Sequence, residues 1–167
     1  MIRPARPDDL AKLPAVEASA ATTFLAAPGL AWLAESEAIS AERHIELLES
    51  GITLVAELEG AIVGFICSEP LGDGLHIREL SVRHASQGKG IGLSLLEELA
   101  SRAASAGWPR LTLTTFRDLA WNAPFYARLG FEEPHDEALA PELRTQLRKE
   151  AEHGLPPERR CAMVLTL

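Results

Sequence analysis

The run Gln87-Gly88-Lys89-Gly90-Ile91-Gly92 carries the strongest chemical signal in this 167-residue chain. It lies between an apolar stretch that ends at Val82 and a helical pattern that begins near Ile91. Where a strand turns into a helix, the first amide N–H groups lack partners and the helix dipole is positive, so an anion is favoured there. Glycines let phosphate oxygens approach the backbone closely, and Lys89 can add a point charge. Two other phosphate loops do not fit. A Walker A loop needs Ser or Thr after its Lys, whereas Gly90 follows Lys89; a dinucleotide fingerprint needs G-x-G-x-x-G, whereas these glycines stand at 88, 90 and 92. Taken bare, such a loop is equally a tight connection.

Tyr126, His76 and Glu79 are of types that can carry a proton. Tyr126 is the sole tyrosine, and a phenol can donate at neutral pH. His76 titrates near neutrality, and Glu79 stands three residues after it. On a regular strand His76, Arg78 and Leu80 share one face while Glu79 and Ser81 share the other, and a bulge would exchange them. Cys67 and Cys161 each sit inside an apolar run, so the sequence offers neither a metal site nor a disulfide framework.

The elements that must position these groups follow from periodicity and punctuation. Asp8 or Asp9 can cap a helix through Leu10, Leu13 and Val16 to Glu17. Residues 22–37 lack clean periodicity and read as a loop or short helix, able to wall a pocket. Ser40 opens a second helix that stops before Gly51. Strands at 52–58 and 61–68 flank the Glu59-Gly60 turn as a hairpin. A third strand, 75–82, leads into the glycine loop. Ile91, Leu95, Leu99 and Ala103 recur at helical spacing as far as Ala106, where Gly107 and Pro109 end the pattern. A strand at 111–115, a short helix at 124–129 closed by Gly130, an amphipathic helix over 139–151 and a last strand at 161–167 complete the order. One domain spanning 1–167 is predicted, of α/β or α+β class.

The formal charge is −8, from 16 basic and 24 acidic residues. That balance opposes a nucleic-acid binder, which needs clustered Lys and Arg, and would suit a cationic substrate; it also simply keeps a protein soluble. The first residues contain no apolar stretch of signal-peptide length, and no run approaches a membrane span, so a cytoplasmic protein with no membrane partner is expected.

The glycine loop meets the Q/R-x-x-G-x-G/A pattern through Gln87, Gly90 and Gly92, with the strand Glu79-Leu80-Ser81-Val82 before it and an apolar helix after it. Farther on, Trp121-Asn122-Ala-Pro-Phe125-Tyr126-Ala-Arg-Leu-Gly130-Phe131 is similar to an N-x-x-x-Y-x-x-x-G-F segment. With these motifs the chain resembles the GNAT N-acetyltransferase superfamily over Leu75 to Glu133. The resemblance implies a mixed, mostly antiparallel sheet with helices on both faces. It implies transfer of acetyl from the cosubstrate acetyl-CoA to a primary amine, by direct attack in a ternary complex.

By position, the resemblance assigns the amides of Gln87, Gly88, Lys89, Gly90, Ile91 and Gly92 to the CoA pyrophosphate. Leu80, Ser81 and Val82 fall on the pantetheine arm, with the Leu80 N–H placed to polarise the thioester carbonyl. Tyr126 becomes the general acid beside the CoA sulfur. His76 stands where some family members carry an ionisable base, and Glu79 is the second candidate, acting directly or through water. Asn122 and Phe125 are assigned CoA contacts, although Asn122 departs from the common spacing and would serve equally as an N-cap. Arg117 and Asp118 read as a solvated pair at the sheet edge. Phe24, Trp32, Trp121 and Phe125 are candidates for the acceptor wall or for ordinary packing. The expected acceptor is a small amine. A protein or peptide acceptor and a non-catalytic acyl-CoA sensor are the alternatives, and the terminal strand and last helix could support a homodimer.

Overall fold

The computed structural model describes all 167 residues. Its elements are β1 (Ile2–Pro4), α1 (Leu13–Ala21), α2 (Ala41–Ser50), β2 (Thr53–Leu58), β3 (Ala61–Leu71), β4 (Gly74–Val82), α3 (Ile91–Ser105), β5 (Arg110–Phe116), α4 (Ala123–Arg128), α5 (Pro141–Glu152) and β6 (Arg160–Thr166). The six strands form one sheet in the order β1-β2-β3-β4-β5-β6. Every neighbouring pair is antiparallel except β4 and β5, which α3 joins as a parallel crossover. This is the mixed α+β sheet expected from the sequence.

Side-chain alternation divides the core between the two sheet faces. On one face Leu54, Ile66, Leu75 and Ile77 pack under Leu95, Leu99 and Ala103 of α3. On the other, Val55, Phe65 and Cys67 pack against Leu13 and Val16 of α1 and Leu47 of α2. Each fully buried leucine contributes about 1.5–3 kcal/mol of transfer free energy, which holds α3 and α1 rigidly over the middle of the sheet. No helix is long and apolar enough to cross a membrane.

The N-terminus differs from expectation. Asp9 does not cap α1, which starts only at Leu13 after a 3-10 turn over Pro7–Lys12. The carboxylate of Asp9 instead accepts two bonds from the Arg3 guanidinium, at 2.7 and 3.0 Å, and one from the Arg6 N–H at 2.7 Å. The guanidinium bonds hold its carboxyl down at about 2. Arg3 is delivered by β1, a three-residue edge strand too short to announce itself by period. Arg117 and Asp118 likewise do not pair with each other: Arg117 binds Glu133 at 2.5 Å and Asp118 binds Arg159 at 2.9 Å.

Candidate active site

The parallel pair β4–β5 is short. It registers Leu75 with Leu111 and His76 with Thr112, and beyond that point the strands part. A cleft of about 680 Å³ opens in the gap. On its far side from β4, α4 and the end of β5 supply Asn122, Phe125, Tyr126 and Phe116. The 3-10 turns Thr22–Ala26 and Ala31–Glu35 supply Phe24 and Leu33, so the aperiodic segment does wall the cleft. Trp121 stands at the rim, 39% exposed, with Phe24 edge-on to it at 6.3 Å. Trp32 lies away from the cleft, beside Gly154.

A bulge at Arg78 settles which residues face the cleft. Cys67 pairs with Glu79 and Ser68 with Ile77, which leaves Arg78 as the extra residue. Leu75 and Ile77 therefore share the α3 face with Leu80 and Val82, and His76, Glu79 and Ser81 share the opposite one. The regular alternation that would group His76 with Leu80 is broken here.

The unpaired edge of β4 is a ladder waiting for a partner. Arg83 donates its N–H to Val63 on the β3 side at 2.8 Å. By alternation, the N–H groups of Val82 and Leu80 point the other way, into the gap. The glycine loop continues this row of donors. The amides from Gly88 through Leu93 have no backbone acceptor, and the first α3 amide with one is that of Ser94, bonded to Gly90 O at 3.0 Å. Gly88 and Gly90 adopt φ of +74° and +81°, a conformation that side chains disfavour, and it turns these amides outward. The Gln87 side chain clamps the loop: its Nε2 donates to Val82 O at 3.0 Å and its Oε1 accepts from the Thr23 hydroxyl at 3.3 Å. Lys89 is exposed and its side chain does not line the cleft, so only its amide joins the set.

The candidate proton carriers have different environments. His76 lies in the cleft floor, 1% exposed, with Nδ1 2.8 Å from the Thr112 hydroxyl. Burial, assisted by Arg78, pushes its pKa down to about 4, so the ring is neutral near pH 7. Glu79 accepts from the Ser81 hydroxyl at 2.7 Å and forms no ion pair with a basic side chain. Burial raises its pKa, and the nearby charge of Glu17 raises it further. Tyr126 packs edge-on against Phe125 at 5.2 Å and Phe131 at 5.7 Å. Burial, with Glu79 adding its charge, lifts the phenol pKa well above the usual value and keeps the hydroxyl protonated. Asn122 occupies the N-cap position of α4 without a side-chain cap bond; its Oδ1 accepts from the Phe116 N–H at 3.3 Å and ties α4 to β5.

Among the cleft residues that nothing in the sequence assigned to a site are Glu17 of α1, Gln146 and Glu150 of α5, and Arg160 of β6. Arg160 and Glu150 form a partly buried pair at 2.8 Å, with Thr114 and Gln146 donating to Glu150. The only sequence signal for that pair was a charge at each position within an otherwise amphipathic or apolar element.

Known proteins share this architecture. PaiA N-acetyltransferase from Thermoplasma acidophilum, in complex with coenzyme A, superposes with a TM-score of 0.73 at 17% identity, over 100% of this chain and 98% of that one. A ribosomal-protein-alanine N-acetyltransferase from Brucella melitensis superposes at 0.69 and 23% identity, over 100% and 99%. A GNAT family acetyltransferase from Brucella melitensis in complex with acetyl-CoA is 30% identical, with a TM-score of 0.58 over 79% of this chain and 82% of its own. Residues 18–131 match the acetyltransferase (GNAT) family. The chain therefore belongs to that family, and acetyl-CoA is the acetyl donor that the free loop amides and the open edge of β4 fit.

Proposed function

We propose that the protein is a single-domain N-acetyltransferase that moves acetyl from acetyl-CoA directly to the primary amine of a small molecule. One observation carries this reading: beside the unpaired edge of β4, Glu79, which forms no ion pair, and Tyr126 line the same cleft. Amine acetylation needs a base for the ammonium proton, a donor for the charge that builds on the carbonyl oxygen, and a proton for the departing thiolate.

The loop amides and the positive end of α3 hold the pyrophosphate, and the edge of β4 holds the pantetheine arm as an added strand. Acetyl-CoA supplies the acetyl group as a thioester. The Leu80 N–H donates to the thioester oxygen as negative charge builds there. Glu79 takes a proton from the acceptor nitrogen, directly or through water, and the nitrogen attacks the carbonyl carbon as the C–S bond breaks. The Tyr126 hydroxyl gives its proton to the sulfur, and the second N–H proton, lost as the amide forms, passes back to the phenolate, so one proton in all is released. His76 is too weak a base and too deeply held for the first step, so we assign it to positioning Thr112 where β4 and β5 begin to part. The small-amine reading is supported by the two 3-10 turns that close one side of the cleft.

The test is acetyl-CoA-dependent thiol release over polyamines, arylalkylamines, amino acids and peptides. Tyr126→Phe and Glu79→Gln should each lower kcat by about 10²–10⁴-fold. Tyr126→Phe should leave Tm nearly unchanged, because the ring keeps both aromatic contacts. Retained turnover in Tyr126→Phe removes the acid role. Tight CoA binding with no release for any acceptor replaces the enzyme with a binding domain.

A further inference from the structure

Glu79 is not the only cleft carboxylate without a cation. Helix α1 crosses β3 and β4 so that Val16 packs in one cluster with Cys67, and Cys67 is the register partner of Glu79. The next residue of α1, Glu17, is thereby brought to the same cleft wall as Glu79. Glu17 is fixed from behind, its Oε1 accepting the Ile39 N–H at 3.1 Å. Glu79 is fixed by the Ser81 hydroxyl at 2.7 Å. The Cys67 thiol feels the charge of both, and burial keeps it protonated.

The cations around this pair are already committed. Arg160 of β6 lies near enough for its charge to ease Glu79, but its guanidinium binds Glu150 of α5 at 2.8 Å. Arg78 of β4 and Arg43 of α2 both bind Glu69 of β3. His76 is neutral, the Tyr126 phenol is neutral, and Glu37 beyond the second 3-10 turn adds only further negative charge. Two half-buried carboxylates facing one space without a counter-ion are costly, and a proton or a bound cation must relieve them.

We propose that Glu17 is the positioning carboxylate for the acceptor: with Glu79 it forms a two-carboxylate seat that admits the substrate as an ammonium ion. This rests on Glu79 as the base. The ammonium sits between the two side chains, one N–H proton passes to Glu79, and Glu17 stays ionised and holds the nitrogen as its lone pair attacks the acetyl carbon. The class of acceptor is then an aliphatic amine that is cationic at neutral pH, rather than a weakly basic arylamine. Glu17 also tunes the base, because burial first and then the charge of Glu17 raise the Glu79 pKa to about 8.

Glu17→Gln tests this cleanly, since the amide oxygen can still accept from Ile39 and only the charge is lost. With the amine that turns over, the KM for amine should rise about tenfold or more while that for acetyl-CoA stays within about twofold. The midpoint of the acidic limb of kcat/KM should move about one unit to lower pH, because a like charge no longer raises Glu79. An unmoved midpoint overturns the proposal whatever the rate. If Glu17→Gln does not fold, calorimetry of the wild type with propylamine hydrochloride at pH 7, in two buffers of different ionisation enthalpy, decides: proton release on binding supports the seat, and none overturns it. Failure of the base reading is distinguishable, because Glu79→Gln would then keep its turnover.

Discussion

Gly90 and Gly92 stand two residues apart in the same loop, yet the same substitution should act on them in opposite directions. Gly90 has φ +81°, and a Cβ there would meet nothing within 4 Å. Its cost is therefore conformational alone, about 1–2 kcal/mol for an L-residue in the left-handed region. Stiffening of the unfolded chain returns about 0.4–1 kcal/mol of that, so Gly90→Ala should lose about 1 kcal/mol. Gly92 lies in the first turn of α3 without a positive φ, and its Cβ would make an ordinary contact with Val82 Cγ2 at 3.9 Å. Gly92→Ala should gain about 0.5–1 kcal/mol from helix propensity. For a domain of this size the gap of about 1.5–2 kcal/mol separates the two melting temperatures by about 3–8 °C. Urea unfolding gives the free energies and CoA titration gives the function: Gly90→Ala should weaken CoA, because its strain is relieved by turning amides away from the anion, and Gly92→Ala should bind CoA as the wild type does. Variants that shift stability in the same direction would refute the claim that φ, and not space, requires glycine at 90.

Gly51 is the reverse case. Its φ is ordinary at −130°, but a Cβ would fall 1.9 Å from the backbone oxygen of Ser68, so Gly51→Ala should destabilise by more than about 3 kcal/mol in urea unfolding, with the α2–β2 connection displaced. Arg160→Met strands Glu150 in a site where both side chains are only about a tenth exposed and should cost about 3–5 kcal/mol, whereas Arg160→Met with Glu150→Leu should recover most of it. Non-recovery in the double variant would show that the pair is not the source of the loss. His76 makes stability fall in mild acid. The unfolded ring takes a proton near pH 6.5 and the native ring only near 4, so between these values each pH unit costs up to about 1.4 kcal/mol, and about 3 kcal/mol is gone by pH 4. His44, fully buried with neither ring nitrogen bonded, has the same sign. Comparing urea curves at pH 7 and 4.5, His76→Gln should flatten the dependence; equal slopes in variant and wild type would sink this assignment.

What could be read from the chain alone was whatever a short window contains. The donors of the anion loop come from consecutive residues, and the apolar positions of α3 recur within single turns, so loop and helix were both visible. The face that Glu79 occupies was not, because the Arg78 bulge depends on how β4 registers against Cys67 and Ser68 of another strand. Glu17 and Arg160 escaped for the same reason. Each reads locally as an ordinary surface charge, and it becomes part of a site only when α1 crosses the sheet or when β6 pairs with β5.

The bulge also explains why the two kinds of chemistry meet here. With regular alternation from Leu75 onwards, Glu79 would turn towards α3 and Leu80 towards the acceptor side. The extra residue exchanges them, so that apolar Leu80 and Val82 pack beneath α3 while the strand keeps its bare edge towards the gap. On the proposed reading the main chain is thus left to hold the acyl donor, and the carboxylate to meet the acceptor. One inserted residue then separates donor recognition, which would use backbone groups and tolerate varied side chains, from acceptor recognition, which we have proposed rests on the side chains of Glu79 and Glu17. On that reading a chain could keep its acetyl donor while its acceptor changes, and the acceptor of this one is to be sought in α1, α5 and β6 rather than in the glycine loop.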